Sequence, residues 1–549
     1  MKTLRPASLS FGVIILATAT SFTACRIDDN TPLEQDHNAT HRRIIDIRAT
    51  ALQKDSLGKT TKPRPFGIIN GSPVVPEGKE LGAFYQTSGV RAARYPLGWG
   101  CDITLDYIFD NESADPDSNE SYRRVGFDSV TKDLIRYKIL PIYQAAWDIG
   151  TDGCQPTETI GVSTRPIAAY DNWARVVAEQ ARYLNSTIKS FYNKPEMIEK
   201  LAESGWRPGY VEIYPDATDA GGYGDLDIGS VASAFKAFQE IISETIPDDG
   251  HRLFGVVTPG LRISSPAELT AGYSAIADFI ANLPTNPAHL PDMFTIKPEV
   301  DSISSLIAVT DAVRAALDDA GHADVPLAAF DLNVTPETWE NLSVFADTIE
   351  SRSAWLGALT ATAYIRLQSK LLTIAPGRWS TLDQAEMGPK SGEDLFQYPS
   401  SGLQLPAMPM VKAIRLFAEE GTELLAIENE PVDDAPGDED DSGFKNDLFS
   451  VLASRRADGG YQFLVAALNP ADQERRGLNM QYQLNITDLA AGTTGWQVAV
   501  YETDDTTQYL PTSPARRGIV KVDEGKVSVA GIIKAPAVHL IQLLPPSSE

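Results

Sequence analysis

The stretch that decides the fold is Gly209-Tyr-Val-Glu-Ile-Tyr-Pro-Asp216, which is followed by the glycine-rich segment Gly221-Gly-Tyr-Gly224. The residues from Tyr210 to Ile213 are mostly apolar, as is typical of a short buried strand. This strand runs into a carboxylate, Asp216. Because α/β barrels carry their reactive groups at the C-terminal ends of parallel strands, the stretch predicts a strand of such a barrel.

A second stretch, Pro326-Leu-Ala-Ala-Phe-Asp-Leu-Asn333, repeats this arrangement. A small apolar strand again ends in an acid, Asp331. Either acid alone would be interpreted as a helix cap or a loop residue, but the paired context favours a shared site. Two strand-end carboxylates far apart in sequence suggest acid–base chemistry on a sugar bond.

A strand-then-helix rhythm extends from Phe66 to about Glu420. The predicted strands are Phe66–Asn70, Val90–Pro96, Ile139–Trp147, Tyr210–Tyr214, Leu253–Thr258, Met293–Lys297, Leu327–Asp331 and Arg378–Leu382. The segments between them carry apolar residues at helical spacing. Eight strands separated by helices predict a (β/α)8 TIM barrel, with an open doubly wound sheet as the alternative. The segment after the first strand, Asn70-Gly-Ser-Pro-Val74, is not the nucleotide-binding fingerprint that would favour an open sheet.

After Glu420 the pattern changes to short alternating segments separated by turn residues, which predict a C-terminal all-β sandwich. These segments are Leu448–Ala453, Tyr461–Leu468, Gln481–Ile486, Trp496–Tyr501, Lys521–Val529 and Ala537–Leu543. A further alternating segment, Arg42–Leu52, predicts a strand that could pair with this sandwich. The expected division is a signal peptide at 1–25, a tether and N-terminal strand at 26–60, the barrel at 61–420 and the sandwich at 421–549.

The N-terminus has the features of a secretion signal: Lys2 and Arg5 precede an apolar run over 11–17. The following Ser21-Phe-Thr-Ala-Cys25 resembles a bacterial lipoprotein cleavage box, which predicts lipidation of Cys25. Arg26 follows the cysteine rather than Asp, and by the same resemblance this favours the outer membrane over retention elsewhere in the envelope. We therefore expect a lipid-anchored protein of the cell envelope, at the outer membrane or in the periplasm; plain secretion is the alternative.

Composition excludes several other classes of protein. The chain has 549 residues with 47 basic and 74 acidic side chains, and its net charge of −27 argues against nucleic acid as a partner. The six histidines show no metal-binding spacing, so we expect no metal and no cofactor. The acidic segment beginning at Asp438 lacks the glutamate that a calcium loop needs at its twelfth position. Cys101 and Cys154 could form one disulfide or remain two free thiols.

Carboxylates are therefore the main candidates for catalytic groups, and Asp216 and Asp331 are the predicted catalytic pair. Aromatic side chains on the same rim would stack on sugar faces, although any one of them could simply be packed. The predicted aromatic contacts are Trp99, Trp147, Tyr214, Tyr223 and Trp379. Asn70, Arg94 and Asn333, on the first, second and seventh strands, are the predicted hydroxyl-binding residues.

The order of these segments resembles the clan A (β/α)8 glycoside hydrolases, most closely family 39 with its β-xylosidases and α-iduronidases. The resemblance covers about residues 60–545. In that family the fourth strand ends in Glu-x-Trp-Asn-Glu-Pro, whose second glutamate is the acid/base; residues 212–217 match this motif here. The nucleophile motif at the end of the seventh strand is matched by Phe330-Asp-Leu-Asn333. The resemblance implies that Asp216 is the acid/base and Asp331 the nucleophile.

Both catalytic glutamates of the family are aspartates here, and Pro215 replaces the asparagine that would hold a substrate hydroxyl. The segment 295–299 on the sixth strand also lacks the usual histidine. Each aspartate is shorter than glutamate by about 1.5 Å, which would open the gap between the carboxyl groups from ~5–5.5 Å toward the ~6.5–9.5 Å of inverting enzymes.

Three functions remain open at this point. The leading one is a glycoside hydrolase that acts on a poly- or oligosaccharide, with either stereochemical outcome. The alternatives are a non-catalytic glycan-binding lipoprotein on a degenerate glycosidase barrel and a structural surface protein. The sequence predicts no oligomeric state.

Overall fold

The computed structural model describes most of both predicted domains. It covers residues 41–54, 60–69, 90–95, 103–109, 114–145, 170–203, 206–213, 228–246, 252–269, 275–334, 349–376, 407–428, 449–468, 479–489, 494–507 and 513–546. All structural statements below refer to these residues.

The α/β part contains two parallel sheets. The strands of the first pair in the order β2 to β6: β2 (Ile68–Ile69), β3 (Ala92–Tyr95), β4 (Leu140–Ala145), β5 (Gly209–Ile213) and β6 (Phe254–Val257). The second pairs in the order β10-β9-β8-β7: β7 (Leu261–Ile263), β8 (Phe294–Val300), β9 (Leu327–Val334) and β10 (Ile374–Pro376). Parallel pairing requires a crossover connection between successive strands, and described helices supply it from β3 to β6 and from β7 to β10.

The described helices alternate with these strands. They are α1 (Leu105–Ile108), α2 (Val125–Arg136), α3 (Tyr170–Phe191), α4 (Pro195–Glu203), α5 (Ile228–Thr245), α6 (Ala275–Ala281), α7 (Ile303–Asp319), α8 (Ile349–Arg366) and α9 (Ala407–Glu420). Short 3-10 turns lie at Asn119–Ser121, Pro266–Leu269 and Pro287–His289. The apolar faces of the longer helices pack on the sheets in one large hydrophobic cluster.

The two sheets adjoin each other at both ends. Strands β6 and β7 are separated only by residues 258–260, and a parallel bridge joins Val257 to Met293 just before β8. At the other end β10 lies beside β2. The eight successive strand positions predicted from the sequence are therefore present, with β6 and β7 together forming the fifth. Strand β10 at Ile374–Pro376 occupies the eighth position, and the predicted range Arg378–Leu382 lies outside the described residues.

A second hydrophobic cluster lies on the other face of these strands. Its buried members come from β2, β3, β4, β5, β6, β9 and β10 or from residues just before a strand: Ile68, Ala92, Leu140, Ile142, Trp206, Tyr210, Val257, Met293, Ala328, Phe330 and Ala375. We call this the interior cluster. Since strands at opposite ends of the two sheets contribute to it, the sheets curve around one common core.

The C-terminal part is a nine-stranded sheet that includes the N-terminal strand. Its order is β16-β15-β18-β13-β12-β11-β1-β14-β17. The strands are β1 (His41–Leu52), β11 (Gly421–Ile427), β12 (Phe449–Arg456), β13 (Tyr461–Ala467), β14 (Asn479–Thr487), β15 (Thr494–Thr503), β16 (Arg516–Lys521), β17 (Val527–Lys534) and β18 (Ala537–Leu544). Strand β1 is parallel to β14 and antiparallel to β11, so the N-terminal segment completes the C-terminal sheet.

The predicted single strand Lys521–Val529 is wrong, because this segment turns between β16 and β17. Asp523 and Lys526 form an antiparallel bridge across Glu524 and Gly525. These two residues have φ angles of 48° and 79°, as a two-residue type I′ turn requires.

The C-terminal nine-stranded sheet, at the position of the predicted sandwich, packs on the α/β part through α8 and α9, which contact β12, β13 and β18. Leu452, Leu464 and Leu540 of the sandwich belong to the large cluster around the α/β sheets. The Gln462 side chain donates a hydrogen bond of 2.7 Å to the carbonyl of Phe417 in α9. The two parts therefore share one continuous apolar core.

We expect β1 to be essential for the stability of the sandwich. Ile47 is fully buried between β11 and β14, whereas Ile44 on the opposite face of β1 is 45% exposed. Ile47→Ala should lower the free energy of unfolding by about 2–5 kcal/mol through the lost burial and the cavity left behind. Ile44→Ala, its matched control, should change it by about 0.5 kcal/mol or less. Urea unfolding of both variants measures the difference, and equal losses would contradict this role of β1.

Candidate active site

The C-terminal ends of β3, β4 and β5 carry three buried polar side chains: Arg94, Gln144 and Glu212. Their exposed fractions are 2%, 2% and 0%. Each lies two residues beyond a member of the interior cluster, namely Ala92, Ile142 and Tyr210. Because alternate residues of a strand lie on the same face, these three side chains continue the interior layer toward the C-terminal edge.

Arg94 and Glu212 form a bidentate ion pair. Nε of Arg94 donates to Oε2 of Glu212 at 2.9 Å, and Nη2 donates to Oε1 at 2.7 Å. Nε2 of Gln144, on the strand between them, lies 3.4 Å from Oε2. Two parallel charge-assisted bonds fix both the distance and the relative orientation of the two groups.

The same guanidinium group contacts a strand of the other sheet. Its central carbon lies 4.7 Å from the centroid of the Phe330 ring in β9, within the range of a cation–π contact. Arg94 therefore links the C-terminal ends of β3 and β5 to the middle of β9. Phe330 is followed directly by Asp331 in the sequence.

Strand β9 has an irregular register where Phe330 and Asp331 lie. Ala329 of β9 pairs with Ile296 of β8, and Asn333 pairs with Glu299. The two residues are four positions apart on β9, but their partners are three positions apart on β8. On β10 the pairing shifts in the same way, between Ile374 and Pro376. The strand thus contains one extra residue relative to both neighbours. Phe330 lies in the interior cluster and Leu332 in the outer one, as a β-bulge between them would produce.

Two other acids near these strand ends are engaged in local contacts. Glu299, at the end of β8, forms an ion pair with Arg262 of β7. Asp301 accepts a hydrogen bond of 2.5 Å from the hydroxyl of Ser305, at the start of α7. The Glu299 contact connects β8 to β7, and the Asp301 contact lies at the start of α7.

Many of the predicted site residues lie outside the described residues, including the catalytic candidate Asp216. The others are Cys25, Asn70, Trp99, Trp147, Tyr214, Tyr223 and Trp379. For Asp331 and Asn333 the structure describes the backbone within β9 but not the side chains. Cys101 and Cys154 are likewise outside.

Among the predicted site residues, Arg94 is the one whose side chain the structure describes. Its ion pair with Glu212, which Gln144 also contacts, adds these two residues to the candidate site. In the sequence, Glu212 is identified only as a position in the family motif. The alternation of Tyr210 and Glu212 along β5 was the pattern that could have assigned Glu212 to the interior. Contact of Arg94 with a substrate hydroxyl stays a prediction.

Within the described ranges, no three His, Cys, Asp or Glu side chains are grouped so that they could hold a metal ion. Over the same residues, no helix combines the length and the apolar character needed to cross a membrane.

The histidine with the largest pKa shift in the described part of the chain, His539, lies in the core of the sandwich. Burial, with a smaller contribution from the nearby Arg516 cation, lowers its pKa from the ordinary 6.5 to about 3. The hydroxyl of Tyr482 lies 3.2 Å from Nδ1 of His539. Because the unfolded chain binds a proton that the folded chain excludes, His539 makes stability fall as the pH drops from 6.5 toward 3.

We therefore expect His539→Gln to remove part of the acid sensitivity. Each pH unit in this window corresponds to about 1.4 kcal/mol per proton, so the slope of unfolding free energy against pH should flatten by about that amount. Tyr482→Phe is the matched control, since it removes the hydroxyl contact but leaves the imidazole to titrate. Urea unfolding between pH 4.5 and 7.5 measures the slopes. An unchanged slope for His539→Gln would contradict the assignment.

The parallel strands around the interior cluster and the nine-stranded sheet that takes up the N-terminal strand are the architecture in which the resemblance to clan A glycoside hydrolases of the family 39 type can be compared with solved structures. Solved structures confirm this resemblance at the level of the fold. No protein-family model and no curated protein matches the chain.

Three of the similar structures illustrate the likeness. A glucosidase from Croceicoccus marinus has a TM-score of 0.60 and 15% identity, covering 93% of this chain and 100% of its own. A monomeric β-xylosidase from Caulobacter crescentus CB15 has a TM-score of 0.62 and 13% identity, covering 92% and 100%. The GH39 enzyme from Xanthomonas axonopodis pv. citri has a TM-score of 0.58 and 12% identity, covering 94% and 99%.

Proposed function

We propose that this chain is a glycoside hydrolase that cleaves a poly- or oligosaccharide through Asp216 and Asp331. The strands would close into a (β/α)8 barrel followed by the β-sandwich, with the substrate bound at the C-terminal ends of the barrel strands. The likeness to a glucosidase, a β-xylosidase and a GH39 enzyme supports this class of reaction.

One observation carries the proposal: a single guanidinium group, that of Arg94, contacts both Glu212 and Phe330. The C-terminal end of β5 and the middle of β9 are therefore close to each other across the interior. Asp216 follows Glu212 by four residues, and Asp331 follows Phe330 directly. This proximity supports a shared cleft for the two acids.

In the proposed reaction, Asp216 protonates the glycosidic oxygen as the leaving group departs. Asp331 attacks the anomeric carbon or, if the reaction inverts, activates a water molecule on the opposite face of the sugar. The environments of the two acids must hold one protonated and the other ionised. The extra residue in β9 agrees with this role, because β-bulges are common beside active sites, where they redirect a side chain.

The remaining predicted residues complete the proposed site. Asn70 and Asn333 would bind substrate hydroxyls, and the aromatic residues Trp99, Trp147, Tyr214, Tyr223 and Trp379 would stack on sugar rings. The membrane contact would be made only by a lipid on Cys25, in the cell envelope. Detergent partitioning of Cys25→Ser tests the anchor: the variant should move to the aqueous phase, and unchanged partitioning would contradict it.

The activity is tested with the full chain on a panel of aryl glycosides and of plant and marine polysaccharides. We expect release of the aglycone or of reducing ends from at least one substrate. No release from any substrate, with intact folding, would contradict the proposal.

The second candidate is a glycan-binding lipoprotein without catalytic activity. It is favoured by the replacement of both family glutamates with aspartate and by Pro215 in place of asparagine. Calorimetry distinguishes the two functions: binding of a sugar that is never hydrolysed would favour the second.

A further inference from the structure

The Arg94–Glu212 pair has a feature that neither the fold nor the proposed acids explain. Both side chains are almost completely buried, at 2% and 0% exposure, at the edge where the apolar interior cluster ends. Replacing a buried ion pair with apolar residues of similar volume is often neutral or stabilising, because removing two charges from water is costly. Its presence here therefore indicates a geometric role more than a contribution to stability.

The geometry of the contacts defines this role. One edge of the guanidinium is fixed on Glu212 by two bonds of 2.9 and 2.7 Å, and its flat face lies over Phe330 at 4.7 Å. Gln144 approaches the same carboxylate at 3.4 Å from the strand between them. Arg94 is thus in contact with β5, whose end precedes Asp216, and with β9, which contains Asp331.

Strand β9 has a particular need for such a contact. Its extra residue between Ala329 and Leu332 interrupts the regular pairing with both β8 and β10. A bulged strand end is held less completely by its backbone hydrogen bonds than a regular one. The contact with Arg94 lies at Phe330, within this irregular segment.

We propose that Arg94 is a positioning residue that sets the separation between the end of β5 and the bulged segment of β9, through Glu212 and Phe330. The catalytic consequence of this inference rests on the proposed function, since Asp331 lies in the segment of β9 that Arg94 contacts. Its structural part is independent of catalysis and can be tested separately.

The test compares three full-length variants. Arg94→Lys keeps a positive charge but loses the bidentate fork and the flat face. Arg94→Met/Glu212→Leu replaces the pair with apolar residues and provides a second variant if the first folds poorly. Arg124→Lys is the matched control. Arg124 is also buried, and its guanidinium lies 4.0 Å from the ring of Tyr122 and 4.3 Å from that of Tyr183. Arg124 lies outside the candidate site, directly before the first residue of α2.

Two measurements are made on each variant. Crystal structures give the distance between the Cα atoms of Glu212 and Asp331, and steady-state kinetics on the best substrate give kcat and KM. We expect this distance to change by about 1 Å in both Arg94 variants and not in Arg124→Lys. Since a misplacement of that size costs about 100-fold in rate, kcat should fall about 100-fold while KM changes little.

An unchanged Cα distance in the Arg94 variants would overturn the proposal, whatever their activity. So would a changed distance accompanied by wild-type kcat. If the wild-type chain hydrolyses no substrate, the proposed function fails, and the Cα distance alone then decides whether Arg94 positions β9.

Discussion

Asp216→Asn and Asp331→Asn will each lower kcat by about 10³-fold on the substrate that the wild-type chain cleaves best. An amide cannot donate the proton that the leaving oxygen needs, nor can it attack the anomeric carbon or deprotonate water. Each single variant should therefore lose almost all activity, and the double variant should lose little more, because the two acids act as a unit.

The matched control for these variants is Asp318→Asn. Asp318 lies on α7, where its carboxylate is half-exposed and pairs with Arg314 one turn away. This variant makes the same aspartate-to-asparagine change, but it does so in a surface ion pair. Its kcat should therefore stay within about a factor of two of the wild-type value. Activity that survives both Asp216→Asn and Asp331→Asn would show that other groups perform the reaction.

Glu212→Gln will lower the free energy of unfolding by about 3–5 kcal/mol. The amide has nearly the same shape as the carboxylate, but it leaves the guanidinium charge of Arg94 buried without its counter-ion. Arg94→Met should cost a similar amount, because it leaves the carboxylate of Glu212 without its paired cation. Arg94→Met/Glu212→Leu should recover most of this loss, since neither charge is then left buried.

Urea unfolding of the two single variants and the double variant gives the coupling free energy of the pair. Asp311→Asn is the surface control: its ion pair with Lys370 is half-exposed, and its loss should cost about 1 kcal/mol or less. Additive losses in the Arg94 and Glu212 variants would contradict the bidentate pairing.

The main elements of the fold could be predicted because their hydrophobic periodicity is strong. The pattern over 303–320 predicts a helix, and α7 spans Ile303–Asp319 with the hydroxyl of Ser302 as its N-terminal cap. The apolar run from Tyr210 predicts a buried strand, and β5 spans Gly209–Ile213 with every residue buried. Likewise, the alternation after Arg42 corresponds to β1.

Short elements could not be predicted in the same way. Strands β7 and β10 have three residues each, which is too few to establish a period. The predicted eighth strand, Arg378–Leu382, lies outside the described residues. By contrast, the turn at Glu524 and Gly525 is marked in the sequence, because Val522 and Val527 are five positions apart, which breaks a period of two, and Gly525 is a typical turn residue.

The composition of the site was only partly accessible from the sequence. Alternation along β3 and β5 places Arg94 and Glu212 on the interior face, but it does not pair them, because 118 positions separate the two residues. The contact with Phe330 depends on the curvature that brings the second sheet opposite the first. The register shift in β9 likewise arises from its pairing with β8 and β10, and no turn residue marks it.

The central claim is that two acids, Asp216 just after β5 and Asp331 in β9, face each other across one cleft. A crystal structure of the full chain that resolves both side chains tests it most directly, through the distance between the carboxyl groups of Asp216 and Asp331. We predict a separation between ~5 and ~9.5 Å, with both groups open to the same cleft. Carboxyl groups much farther apart, or directed away from a shared cleft, would contradict the assignment of the chain as a hydrolase.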